Sequence, residues 1–173
     1  MQARDLSDSK AGVKVNWTMG RAGVVRNMIP PTAEAEADIR VERVADLDAV
    51  EQKLRERIKN KLLPEAEVEL QFQRGRPALQ ATDASRALAA HAQKIHSEIG
   101  MTLTVPSAPT GGGTDAAYAG LKTRAPVVEG MGLRGYGAHS TDAEYVLISS
   151  IEPRLYLTVR MLMDISSGKA PVK

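Results

Sequence analysis

The 173-residue sequence predicts a mixed chain, α+β in its first half and α/β in its second. Three observations carry that expectation. Apolar and polar residues alternate over 13–19, 33–43 and 67–73, the period of a strand with one packed face and one wet face. Apolar residues recur every three or four positions over 47–62 and 83–99, the period of an amphipathic helix. Arg74-Gly-Arg-Pro77 punctuates the change of pattern and divides the chain into 1–76 and 77–173.

Within the first part, Val13, Val15, Trp17 and Met19 share one face of a strand. Gly20 to Gly23 forms a turn, Val24 to Met28 a second short strand, and Pro30-Pro31 stops it because proline cannot donate to a ladder. Ala33, Ala35, Ala37, Ile39 and Val41 form the inner face of a third strand. Asp46 is the expected N-cap of a helix with Leu47, Val50, Leu54, Ile58 and Leu62 as its stripe and Pro64 as its end. Glu67 to Gln73 closes this part as a strand with Val68, Leu70 and Phe72 inward. The order strand, strand, strand, helix, strand matches a ferredoxin-like unit that lacks its first strand and helix, so the expectation is an N-terminally truncated domain.

The second part opens with a helix over 83–99, capped by Gly100. Strands are expected at Met101–Val105 and Pro126–Glu129, with a short helix, Ala116–Leu121, between them and a glycine-rich loop over 130–140 after them. Ser149 and Glu152 read as a capping box for a last helix reaching about Ile165, with a loose tail over 166–173. Two strands among three helices do not close a sheet, so this part also asks for partners.

Composition removes several function classes. Aromatic residues are 3%, too few for base-stacking platforms, and 23 basic against 21 acidic residues are interspersed with no basic block, so no nucleic acid is expected. Cysteine is absent, which excludes disulfides, cysteine-held zinc and thiol nucleophiles. No apolar run approaches the roughly 20 residues of a membrane span, and the first ten residues lack the apolar core of a secretory signal. No membrane is expected. The compartment stays open: periplasmic or secreted if a preceding segment carries a signal, cytoplasmic otherwise.

The candidate chemistry is sparse. His91 and His96, five residues apart on one helix, point about 140° apart and read as surface imidazoles. His139 sits in the loop after an apolar strand and is either a plain loop histidine or a metal or catalytic group. Gly111, Gly112 and Gly113 either cradle an anion or form a flexible turn, and the Gly-Lys-Ser/Thr of a Walker loop is missing. Asn27, Arg40, Arg74 and Arg76 suit carboxylate recognition, or else join a surface array with Glu34, Glu36, Asp38 and Glu42. Asp115 reads as a dipole-matching cap.

Read in order, several segments resemble the dizinc glutamate carboxypeptidases, the folate-cleaving branch of the aminoacylase/carboxypeptidase metallopeptidase superfamily. They are Val15-Asn-Trp-Thr18, Asn27 to Pro30, Ala37-Asp-Ile-Arg40, Leu63-Pro-Glu-Ala66, Arg74-Gly-Arg-Pro77, Thr110-Gly-Gly-Gly-Thr-Asp-Ala-Ala-Tyr118, His139-Ser140, Ala143-Glu-Tyr-Val146 and Pro153-Arg-Leu-Tyr156. Arg134 stands where the resemblance implies a proline.

The resemblance implies a partial lid and dimerisation domain over 1–76, followed over 77–173 by the C-terminal part of a zinc-peptidase α/β catalytic domain. It implies two zinc ions per complete site, with His139 as the single ligand present here and no catalytic residue in this stretch, the general base lying upstream. Asn27, Arg40 and Arg76 would hold the carboxylates of a C-terminal glutamate, and Gly111 to Gly113 would shape the same pocket. The implied partners are a small-molecule or peptide substrate ending in glutamate and a second copy bound through the lid. The implied reaction is hydrolysis of the amide bond to that glutamate by metal-activated water, with this stretch alone inactive. The competing expectations are a non-catalytic dimerisation module or pseudoenzyme, a related amidohydrolase such as an aminoacylase or deacetylase, and anion or nucleotide binding through the triple glycine.

Overall fold

Alternation over the first expected strand becomes β1, Lys14–Ala22, which pairs antiparallel with β2, Ala33–Arg40, in a two-stranded sheet. Lys14 faces Arg40, Trp17 faces Ala37 and Ala22 faces Ala33. The structure, a computed structural model, describes residues 4–172. It divides into two units, Met1–Gln80 and Ala81–Lys173.

In the first unit the pairing slips between Trp17 and Met19, a bulge that hands the period-2 pattern to the other face. Val13 and Val15, before the bulge, are buried. Met19, beyond it, is exposed, and so are Ala33 and Ala35 opposite the far end of β1. The expected inner face therefore holds only for the half of the hairpin next to the helix. Residues 24–28, expected as a strand, form bends and turns in the β1–β2 connection, with Val24 and Ile29 almost fully exposed. Without apolar cover on either side, that run has nothing to pack against.

Helix α1 is Val44–Arg57, three residues earlier at its start than the sequence suggests. Arg43 is its N-cap in extended conformation, and its guanidinium donates to both oxygens of Asp46 at 2.8 Å. Asp46, expected as the cap, thus sits inside the first turn, where its charge complements the helix dipole. The helix closes before Leu62 because Lys59 and Asn60 bond back three residues, to Glu56 and Arg57, tightening the last turn. Leu62 is left exposed.

Val50 and Leu54 of α1 meet Val13, Val15 and Leu6 in the core, with Ile39, Leu70 and Phe72 packed around them. Leu70 and Phe72 keep the alternation expected of residues 67–73, but the segment joins no ladder and Val68 is exposed. Arg74 pins its end to α1 through Asp48 at 2.7 Å and Glu51 at 2.6 Å, with its guanidinium over the Phe72 ring. Among the described residues the ferredoxin-like arrangement is therefore not formed. At the other end of α1, Arg57 donates to Asp5 at 2.6 Å and holds that carboxyl down to about 2.

The second unit is built on α2, Asp83–Ser97, and α4, Ile151–Ser166. Thr82 caps α2 by accepting from the Ser85 amide at 3.0 Å, and Gly100 takes a positive φ after its end. Leu88, Ala92 and Ile95 of α2 pack on Leu157 and Met161 of α4, with Ala170 closing the cluster. The tail is not loose: Lys169 and Ala170 donate to the Asp164 carbonyl, and Ala170 is buried.

The stretches expected as strands at 101–105 and 126–129 pair with no neighbour in a ladder. Their backbones bond side chains of α2 instead, Gln93 to the Leu103 carbonyl and the Val127 amide to Ser85 Oγ, while Leu103 and Val128 reach the core. A seven-residue helix α3, Ala116–Lys122, lies between them. The expected glycine loop contains β3, Gly135–Tyr136, hydrogen-bonded to β4, Tyr145–Val146, with the two tyrosine rings stacked at 5.5 Å.

The expected capping box at the start of α4 does not form. Ser150 is the N-cap, makes no side-chain capping bond, and spends its hydroxyl on Leu147 O and Arg134 N. The opposite side of α4 is also apolar, with Leu155 and Leu162 each 62% exposed. No described helix is long and apolar enough to cross a membrane.

Leu157 is fully buried where α2 meets α4. Leu157→Ala is expected to cost about 2–5 kcal/mol of unfolding free energy, read by chemical denaturation. A loss below about 1 kcal/mol contradicts the core described here.

Candidate functional site

The residues singled out from the sequence are distributed over both units. In the first, Asn27 lies in the exposed connection between β1 and β2, Arg40 ends β2, and Arg76 lies in the exposed stretch after Arg74. Arg40 donates its Nε–H to Asp38 at 2.8 Å, one contact of the expected surface array. Arg74 belongs to the α1 contact and is committed there.

In the second unit, Gly111 to Gly113 form an exposed loop before α3, with Gly111 at φ +80. Asp115 stands at the N-cap of α3 without a side-chain capping bond, and Thr114 accepts from the Ala116 amide instead. With seven residues, α3 has too little dipole to make an anion site of this loop.

His139 sits in the β3–β4 connection and is the only non-glycine residue with positive φ, +68, among those described. The turn is tied by Ser140, whose amide and hydroxyl both donate to the Gly137 carbonyl, at 3.0 and 2.7 Å. Gly137 is itself left-handed, and a Cβ there would run into the Ala143 carbonyl. Two left-handed residues in one tied turn push the His139 side chain outward, and it is exposed. Such a backbone costs on the order of 1–3 kcal/mol and persists only where the surroundings enforce it. The imidazole is thus held at the surface rather than packed in a core.

Zinc is the metal that the resemblance implies. Among the described residues no three His, Asp or Glu side chains converge on one point. These residues by themselves therefore do not fit a zinc ion, which takes three or four such donors.

The other two histidines are not surface groups. His91 donates its Nε2–H to Asp164 at 2.8 Å, and Arg160 donates to the other oxygen of that carboxylate at 3.0 Å. Arg160 continues to Glu98, which also accepts from Tyr156 at 2.9 Å. His96 is buried, and neither ring nitrogen has a partner. The helix stripe is wider than the sequence reading allowed: Leu88, His91, Ala92, Ile95 and His96 follow the i, i+3, i+4, i+7, i+8 pattern of a broad packed face. Counting the two imidazoles into that pattern is the signal that finds them.

The hydrogen bond from His91 and the charge of Arg160 hold the Asp164 carboxyl below the usual carboxylate range, against the desolvation that burial imposes. Hydrogen bonding by Tyr156 and Arg160 lowers Glu98 likewise.

Two comparisons with known proteins bear on this arrangement. Residues 2–66 match a family described as the peptidase dimerisation domain. Over 169 residues, 98% of the chain, the sequence is 44% identical to carboxypeptidase G2 of Pseudomonas sp. (strain RS-16). The chain spans 40% of the length of that relative.

Because the Asp164 carboxyl titrates lower folded than unfolded, the unfolded chain binds the extra proton. The group's stabilising contribution is complete above the ordinary carboxylate value, about 4, and is lost as pH falls through the depressed folded value. In Asp164→Asn that part of the acid sensitivity is expected to vanish, so thermal midpoints fall less steeply below about pH 4 than in the parent chain. Parallel acid profiles for the two contradict the contact.

Proposed function

We propose that the chain is the dimerisation domain and the C-terminal catalytic part of an M20-type metallocarboxypeptidase that removes a C-terminal glutamate. The 44% identity to carboxypeptidase G2 across 98% of the chain carries this reading, and the peptidase dimerisation match over residues 2–66 supports it. The presented imidazole of His139 supports it from the geometry.

On this reading the residues of the first unit recognise substrate. Arg40 and Arg76 supply guanidinium forks for carboxylates, and Asn27 adds an amide donor. A dicarboxylic leaving residue is favoured because its second carboxylate can accept from a guanidinium fork, a contact that a neutral side chain does not match. Arg40 then exchanges its exposed Asp38 contact for the ligand carboxylate, a low-cost exchange because exposed ion pairs contribute little. Gly111 to Gly113 let the backbone approach the substrate closely. His139 contributes one zinc ligand, and the remaining donors and the general base come from polypeptide outside these 173 residues. The reading includes a homodimer formed through residues 2–66.

A chimera tests this. The matched stretch of carboxypeptidase G2 is replaced by this chain, and release of glutamate from an N-acyl glutamate is followed. Hydrolysis is expected, as is a loss of about 10- to 150-fold in kcat/KM for Arg40→Ala or Arg76→Ala, the worth of one charge-assisted hydrogen bond. A folded, zinc-loaded chimera that hydrolyses no such amide contradicts the proposal. If the chimera releases neutral residues as fast as glutamate, the related amidohydrolase reading replaces it.

The 173-residue chain alone is expected to retain no stoichiometric zinc after dialysis, measured by atomic emission. Retention of one or two equivalents refutes the single-ligand assignment.

A further inference from the structure

We infer that Arg134 is a specificity-determining residue, favouring an N-acyl glutamate whose acyl group carries a carboxylate of its own. The inference rests on the reading that sets His139 beside the scissile amide, and it concerns the opposite half of the substrate from Asn27, Arg40 and Arg76.

Arg134 stands where the resemblance implies a proline, so this chain adds a charge at that position. The residue immediately precedes β3 and belongs to the same hairpin as His139. Its carbonyl accepts from the Leu147 amide at 2.8 Å, and its amide donates to Ser150 Oγ at 3.1 Å. Ser150 is buried. The backbone that carries Arg134 is thus tied both to the other arm of the hairpin and to the start of α4.

The side chain is held too. Residues 134 and 136 project from one face of a strand, and the Arg134 guanidinium donates to the Tyr136 hydroxyl at 2.8 Å. Tyr136 stacks on Tyr145 across the ladder. That bond uses one of five N–H groups. Arg43, Arg55, Arg57 and Arg74 each spend theirs on carboxylates of the chain. Arg134 is exposed and has no carboxylate partner among the described residues. A positioned guanidinium with donors to spare suits a ligand carboxylate, which it can grip with two of them.

Placement decides which carboxylate. Three strand residues, about 10 Å, separate Arg134 from Gly137, whose carbonyl ties the His139 turn. The guanidinium and the imidazole therefore belong to one stiff hairpin, one at its base and one near its tip. A leaving glutamate has two carboxylates, and Arg40 and Arg76 answer to them. The scissile carbonyl belongs to the acyl half of the substrate. An acyl group ending in a carboxylate extends from that carbonyl towards Arg134, whereas a neutral acyl group leaves the guanidinium fork unused.

The test is calorimetric titration of the metal-free carboxypeptidase G2 chimera with N-succinyl-glutamate and with its neutral isostere, N-succinamoyl-glutamate. The two share the leaving glutamate and differ only in the acyl-side charge. The charged ligand is expected to bind about tenfold more tightly, the worth of one charge-assisted hydrogen bond. In Arg134→Gln the preference is expected to fall to near unity. The same ratios are expected in kcat/KM with zinc bound. Arg154→Gln, which removes a nearby charge committed to the Gly130 carbonyl, should keep the preference. Equal binding of the two ligands by the parent chimera, a preference that survives in Arg134→Gln, or one that disappears equally in Arg154→Gln overturns the inference and leaves the glutamate reading in place. A folded chimera that binds neither ligand overturns the glutamate reading and this inference with it.

Discussion

The second unit turns on one carboxylate. Asp164 lies near the end of α4, 4% exposed, and receives His91 from α2 on one oxygen and Arg160 from its own helix on the other. Its carbonyl also takes the amides of Lys169 and Ala170, which folds the tail back so that Ala170 caps the Leu88–Ile95–Leu157 cluster. A buried charge is tolerated only when each oxygen is paired. The contact therefore fixes the register of α2 against α4 more strictly than their leucines and isoleucines could. Everything placed by these helices inherits that register, including the buried His96 ring.

The His139 turn is a different solution to the problem of holding a side chain. No helix or core supports the imidazole. A two-residue-per-strand ladder, stacked tyrosines and a doubly bonded Gly137 carbonyl hold the backbone in a left-handed form that most residues avoid. Stiffness in such a short hairpin comes from backbone closure. Presentation of a ligand by a rigid turn reduces the freedom it must lose on binding, which is how sites on loops reach the order that chemistry needs.

Much of this was legible in the residues and some was not. Helices α1, α2 and α4 follow from their apolar spacing, because a 3.6-residue period survives whatever packs on it. The strands were less secure. Residues 101–105 and 126–129 read as strands from apolar runs alone, and an apolar run records burial, not a ladder partner. Residues 24–28 carried strand-like composition with no face to bury. The β1 bulge was invisible because one slipped residue leaves local alternation intact while turning the far half of the hairpin outward. At the candidate site, His139 was singled out by position, but its left-handed backbone had no sequence signal apart from nearby Gly137. His91 and His96 read as surface imidazoles because the angle between them does not reveal that both belong to the broad packed face of α2. The partner of His91, Asp164, lies 73 residues away in sequence and no local pattern joins the two.

The central claim is that the imidazole of residue 139 is a metal ligand presented by a strained turn. Its most direct test is a crystal structure of the zinc-loaded chimera with carboxypeptidase G2. A ring nitrogen of His139 about 2.0–2.1 Å from a zinc ion, with the positive φ retained, is the predicted result. An imidazole turned to solvent while the metal is held entirely by other side chains would contradict it.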